Sequence, residues 1–249
     1  MALSRLIGLL SPSSGRKKWV FMKAIRILFR VVLAGSLLIV IMAPLFSQPR
    51  SKDPLAQAVH VKLDRVNTPD AVSQALLDAG LPGGIAALHY CGGFPTRALK
   101  PASISVRGLL DEVVSTDPSY SWRLNDGAVN LTPRYTKIHL LETRVPKLEL
   151  KQVKTPDEAL NMLMALPEVQ RQVKNELGNR AVEGLAYAFP ANAAGGEREK
   201  TFSIALNDAT IAEALNAIAK AYGSAVWVLV KNECNNSGRK NFSIKFIYH

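Results

Sequence analysis

"SVRGLLDEVVSTDPSYSW" (Ser105–Trp122) and "TIAEALNAIAKAYGSAVW" (Thr210–Trp227) align without a gap at an offset of 105 residues. Val106 falls on Ile211, Leu110 on Leu215, Val113 on Ile218 and Trp122 on Trp227. Each stretch reads as a capped amphipathic helix, a turn containing Pro118 or Gly223, and a strand that opens on a tryptophan. In the first, "YSWRLNDGAVNLTP" continues as strand, Asp126-Gly127 turn and strand, a strong hairpin signal. In the second, "AVWVLVKNECNNSGRKNFSIKFIYH" predicts the same hairpin with a longer Asn/Gly loop.

A second match lies upstream at an offset of 87. "VKLDRVNTPDAV" (Val61–Val72) returns as "LELKQVKTPDEA" (Leu148–Ala159). Thr68 and Thr155 read as helix N-caps followed by Pro and by an Asp whose charge suits the positive helix end. Thr210 reads as the third such cap. "TPD" is thus sufficiently explained as a helix start. Asp70 and Asp157 lack a nearby base or ligand that would make either catalytic.

The offsets differ by 18 residues, which predicts an insertion in the second copy, around 167–200. Each unit reads as β-α-β-α-β-β. The middle strand is assigned to "GGIAALHY" (Gly83–Tyr90) in the first and to "TFSIALN" (Thr201–Asn207) in the second. This predicts an α+β chain of two tandem modules, 59–136 and 137–249, each with two helices on its own short mixed sheet. Trp122 and Trp227 are expected to fill the two cores at matching positions.

Charge and hydropathy set the compartment. The formal net charge is +11, yet residues 1–52 hold nine Lys/Arg and no acid, leaving 22 basic and 20 acidic residues beyond. A near-neutral body argues against nucleic-acid binding, which needs clustered Lys/Arg. "MKAIRILFR" (Met22–Arg30) followed by the uncharged "VVLAGSLLIVIMAPLF" (Val31–Phe46) reads as a signal sequence or a single-span anchor, with 1–58 covering it and a linker. Met1 and Met22 both remain available as starts. Either way the basic flank keeps the N-terminus in the cytoplasm, tethers or releases the chain at the inner membrane, and exports the body to the periplasm.

Chemistry-bearing motifs are sparse. His60, His89, His139 and His249 are scattered, without zinc-ligand spacing. His89 and Cys91 share a strand but lack an identifiable oxyanion donor. The glycine pairs lack the Lys-Ser/Thr of a phosphate loop. No metal or cofactor is therefore expected. Cys91 and Cys234 can form one disulfide stapling the two copies, adding roughly 4–5 kcal/mol in the chain-entropy model, or remain two separate thiols.

The stretch "FSIALNDATIAEALNAIAKAYGSAVWVLV" (Phe202–Val230) resembles the N-terminal short domain of secretins and TonB-dependent receptors (STN-like). Phe202, Ile204, Leu206, Ile211, Ala214, Leu215, Ile218, Ala219, Gly223 and Val226 occupy the family's apolar and turn positions. "ISVRGLLDEVVSTDPSYSWRLNDGAVNLTP" is a looser version. The resemblance covers about a third of the body and extends to neither a secretin pore nor a receptor barrel. It implies periplasmic, non-catalytic modules that contact other envelope proteins. The expected function is accordingly a non-enzymatic interaction protein. The alternative is an enzyme or small-ligand binder with its site between the modules, near the junction Thr136–Val145.

Overall fold

The computed structural model describes residues 53–61, 64–89, 94–100, 105–177, 185–187, 201–234 and 239–249, with backbone only at 185–187, 233–234 and 239–240. Residues 53–249 belong to one compact unit. The elements run α1 (Thr68–Asp78), β1 (Gly83–His89), α2 (Val106–Thr116), β2 (Tyr120–Asn125), β3 (Ala128–Pro133) and α3 (His139–Glu142). They continue with β4 (Arg144–Val153), α4 (Pro156–Met164), α5 (Pro167–Leu177) and β5 (Leu185–Tyr187). The chain closes with β6 (Phe202–Thr210), α6 (Ile211–Tyr222), β7 (Val226–Cys234) and β8 (Arg239–Ile247). The N-terminal apolar run, Cys91 and most of 178–200 lie outside the described residues.

One mixed sheet, ordered β2-β3-β1-β7-β8, takes the place of the two small sheets expected, and short β5 adds beside β8. The reason lies in β1. Its sequence GGIAALH has no polar face, so it must be covered on both sides and hydrogen-bonded on both edges. It runs parallel to β3 on one edge and to β7 on the other. The two antiparallel hairpins, β2–β3 and β7–β8, flank it. The Asp126-Gly127 turn of the first hairpin holds both residues at positive φ, 47° and 77°, as a two-residue hairpin requires.

Helices cover both faces. Ile85, Val226 and Val228 join the cluster under α1 and α2, with Leu76, Leu109, Leu110 and Val113. Ala86, Trp227, Leu229 and Phe242 face the other way, into the cluster under α4, α5 and α6. Alternate residues of β7 thus serve opposite cores, which makes three layers of the chain. α5 docks through Val169, Val173 and Leu177. It also brings Glu176 to 3.5 Å from Lys231 of β7, with 8% and 11% of the two side chains exposed.

"TFSIALN" is not a middle strand of that sheet. As β6 it pairs antiparallel with β4 in a separate two-stranded ribbon. Its burial alternates: Phe202, Ile204 and Leu206 pack against the second core while Ser203, Ala205 and Asn207 face outward. A strand covered on one face reads this way, whereas a doubly covered one reads as a continuous apolar run. Before α1 the described residues form two isolated bridges, Ala58 with Ser105 and Val66 with Arg97.

Gly84 is the tightest point of the sheet. It pairs with Trp227 across the parallel β1–β7 seam, and a Cβ built on it would lie 1.8 Å from the indole Cε2. Trp227 itself is 0% exposed and cannot withdraw. Gly84→Ala is therefore expected to cost about 2–3 kcal/mol of unfolding free energy, through overpacking. Urea denaturation checks this, and a change below about 0.5 kcal/mol would refute the contact.

Candidate functional site

Two of the three threonines expected as helix caps hold that position. Thr155 accepts the Glu158 amide at 3.2 Å, and Thr210 forms a full capping box with Glu213. Thr68 does not cap α1. Asn67 does, its Oδ1 accepting the Asp70 amide at 2.9 Å while its Nδ2 donates to the Asp70 carboxylate. Asn is as good a cap as Thr and reaches the carboxylate as well, so the cap moves back one residue and Thr68 becomes the first helical position.

The tryptophans differ in depth. Trp227 is fully buried and donates its indole N–H to Asn216 Oδ1 at 2.8 Å. Trp122, expected as a core residue, is only half-buried because it sits on the outermost strand. Its indole N–H donates to Asp111 Oδ1 at 3.0 Å, and the Arg107 guanidinium lies 5.6 Å from its ring centre. Both indoles thus bond to a residue eleven positions upstream, on the preceding helix.

Asp157 acquires a partner that sequence proximity hides. Tyr248 donates its hydroxyl to Asp157 Oδ2 at 2.7 Å, tying the end of the chain to the start of α4. The Tyr222 ring stands edge-on to Tyr248 at 5.0 Å. Burial raises the Asp157 carboxyl above its ordinary 3.8, opposed by the hydrogen bonds from Tyr248 and the Phe246 amide. Burial also raises the Tyr248 hydroxyl, and the bond to Asp157 adds to the effect. This cluster anchors β8 on α4.

A cleft of about 1110 Å³ opens on the α6 side of the sheet. α6 packs over β1 and β7, and α4 over β8, which leaves β2 exposed on that side at Arg123 and Asn125, beside β3 with Ala128 and Asn130 buried. Their cross-strand pairs Ser121–Thr132 and Arg123–Asn130 form a polar floor that continues to Asn125 and Arg134. The opposite wall comes from the β6–α6 corner and from residues 136–142 of the junction. Its acids are engaged: Asp208 with Arg144 at 2.8 Å, Glu142 with Lys137 at 3.4 Å, Asp126 with Lys220, and Glu213 in the capping box. Arg123 and Arg134 have no acidic partner among the described residues.

A smaller cavity of about 380 Å³ lies on the other side of the chain at Pro133–Thr136, with Phe94, Tyr120 and Tyr135 on its walls. Tyr135 is 77% exposed. Among the described residues no three His, Cys, Asp or Glu side chains lie close enough together to hold a metal ion. No helix among them is long and apolar enough to cross a membrane. The pairing of Cys91 with Cys234 lies outside the described side chains. No family model, curated protein or solved structure matches the chain.

The polar floor has a signal in the sequence. In "YSWRLN" the polar residues Ser121, Arg123 and Asn125 alternate with Tyr120, Trp122 and Leu124, which puts each set on one face. What one strand cannot reveal is which face stays uncovered.

Two measurements test these contacts. Asn216→Ala leaves the buried Trp227 N–H unsatisfied and is expected to cost about 2 kcal/mol, whereas Asp111→Ala, beside a half-exposed ring, costs at most about half as much. Chemical denaturation of both variants decides the order, and the reverse ranking would contradict the burial difference. For Asp157 the folded pKa is raised, so the folded state binds its proton more readily than the unfolded state. Stability of the wild type relative to Asp157→Asn should therefore fall as pH rises from 3.8 through the folded value, and level off below 3.8. Parallel melting curves across that window check the sign; a rising difference would rule out the burial effect.

Proposed function

We propose that this chain is an exported, non-enzymatic envelope protein built from two related STN-like halves, and that it works by taking a segment of another envelope protein onto the free edge of β2. Three correspondences support the duplication. Both halves carry the indole bond to an acceptor on the preceding helix, Trp122 to Asp111 and Trp227 to Asn216, at the same offset of 105. The bridge Val66–Arg97 recurs as Val153–Phe202, at the offsets of 87 and 105. In each half a middle strand runs parallel to the second strand of the hairpin, β1 beside β3 and β5 beside β8. α5 lies where the offset changes and accounts for the insertion.

The observation that carries the function is the outer edge of β2. β2 is the end strand of the sheet, with no described strand beyond it. The bond from the Arg134 amide to the Ser119 carbonyl, with the register of the hairpin, turns the main-chain groups of Ser121, Arg123 and Asn125 toward β3. Those of Trp122 and Leu124 then point outward. Unpaired strand groups of this kind are a template for an added strand. Leu124, 42% exposed, and the protruding Tyr135 supply apolar and aromatic surface nearby. The size of the cleft favours a second reading, a small-ligand binder with its site between the halves.

Leu124→Pro is the discriminating variant. Proline removes one outward N–H without removing a bond to β3, a position edge strands tolerate. The full tagged chain is expected to retain a specific envelope partner after crosslinking, and L124P to lose it at an unchanged melting temperature. Equal retention by the variant would overturn the edge reading. A thermal shift with small ligands in the absence of any retained partner would favour the cleft.

A further inference from the structure

The two faces of β2 define what an added strand must look like, an inference that rests on the edge reading above. We propose that the incoming segment is an extended peptide alternating acidic and apolar residues, with its acidic side chains on the cleft side. An added strand lies about 4.8 Å from β2, and its side chains fall beside those of β2 on each face. On the cleft face those neighbours are Ser121, Arg123 and Asn125. On the opposite face they are Tyr120, Trp122 and Leu124, where the half-buried indole and the exposed leucine leave apolar surface.

Charge decides the polar half of the pattern. Every acid on the cleft wall already has a structural contact, whereas Arg123 stands on the edge strand and Arg134 one strand inward with neither neutralised by an acid among the described residues. A carboxylate arriving beside Arg123 meets an uncommitted guanidinium, which binds carboxylates in a two-pronged geometry. Arg134, just past the end of β3 and opposite Ser119, adds a second guanidinium to the cleft lining. A basic segment would instead set like charges directly opposite, which destabilises a cross-strand pair. Self-pairing of two copies through β2 brings two Arg123 side chains onto the same joined sheet and gains no acid.

The probes are two labelled heptapeptides, one alternating Val and Glu, the other Val and Lys, titrated against the full chain by fluorescence anisotropy. The glutamate peptide is expected to bind and the lysine peptide not to, with affinity falling as salt rises. The double variant R123Q/R134Q should weaken the glutamate peptide about tenfold, as two exposed ion pairs would. L124P should abolish binding. Equal affinity for both peptides, or no effect of R123Q/R134Q, would overturn the acidic pattern. If partner capture then still depends on L124P, the edge reading survives alone. Failure of both peptides together with capture indifferent to L124P removes both. Since Arg123 and Arg134 are exposed and bear no structural load, their variants keep the test valid even if the proline variant does not fold.

Discussion

The parallel contact of β1 with β7, with the Trp227 indole lying where Gly84 has no side chain, sets the terms for everything around it. A strand bonded along both edges and covered on both faces can carry only small and apolar residues, and GGIAALH is such a run. Gly84 admits Trp227, the largest fully buried side chain among the described residues, and Asn216 then satisfies its one polar atom. Because Trp227 points to the α6 side and its neighbours Val226 and Val228 point to the other, the same strand closes both cores. The helices of the first half and those of the second therefore sit on opposite faces of a common sheet. The exposed polar row of β2 follows from that division, since α6 and α4 are occupied with β1, β7 and β8.

Much of the local structure was legible in the sequence. The hairpin at Asp126-Gly127, the caps at Thr155 and Thr210 and the helices after them are set by interactions within a few residues. The cap at Asn67 was missed for a local reason as well: a good cap stood next to another, and the side chain that also reaches Asp70 takes the role. The assignment of "TFSIALN" failed for a non-local reason. Its alternation correctly signalled one covered face, but pairing partners are not written in a single strand, and the paired residues Val153 and Phe202 lie 49 positions apart. Apolar "GGIAALH" indicated cover on both faces, which two separate modules of two helices each would not provide.

The candidate site was legible only in pieces. Polar alternation in β2 was visible, as was the basic character of Arg123 and Arg134. Their significance arises because the acids around them are spent on Arg144, Lys220, Lys137 and the Thr210 cap, partners scattered over the whole body. The Tyr248–Asp157 bond is likewise a product of topology, joining residues 91 positions apart.

The central seam also has a temporal side. β1 belongs to residues 83–89 and its partner β7 to 226–234, so a chain built from its N-terminus completes β1 long before anything can occupy that edge. Until then the first half carries an apolar strand open along one edge and on its α6 face, the kind of surface that chaperones hold and aggregates recruit. Closing the seam demands a contact of long sequence separation, which slows folding relative to two independent modules of the same size. One shared sheet thus makes closure a single late, cooperative step that waits on β7 and β8.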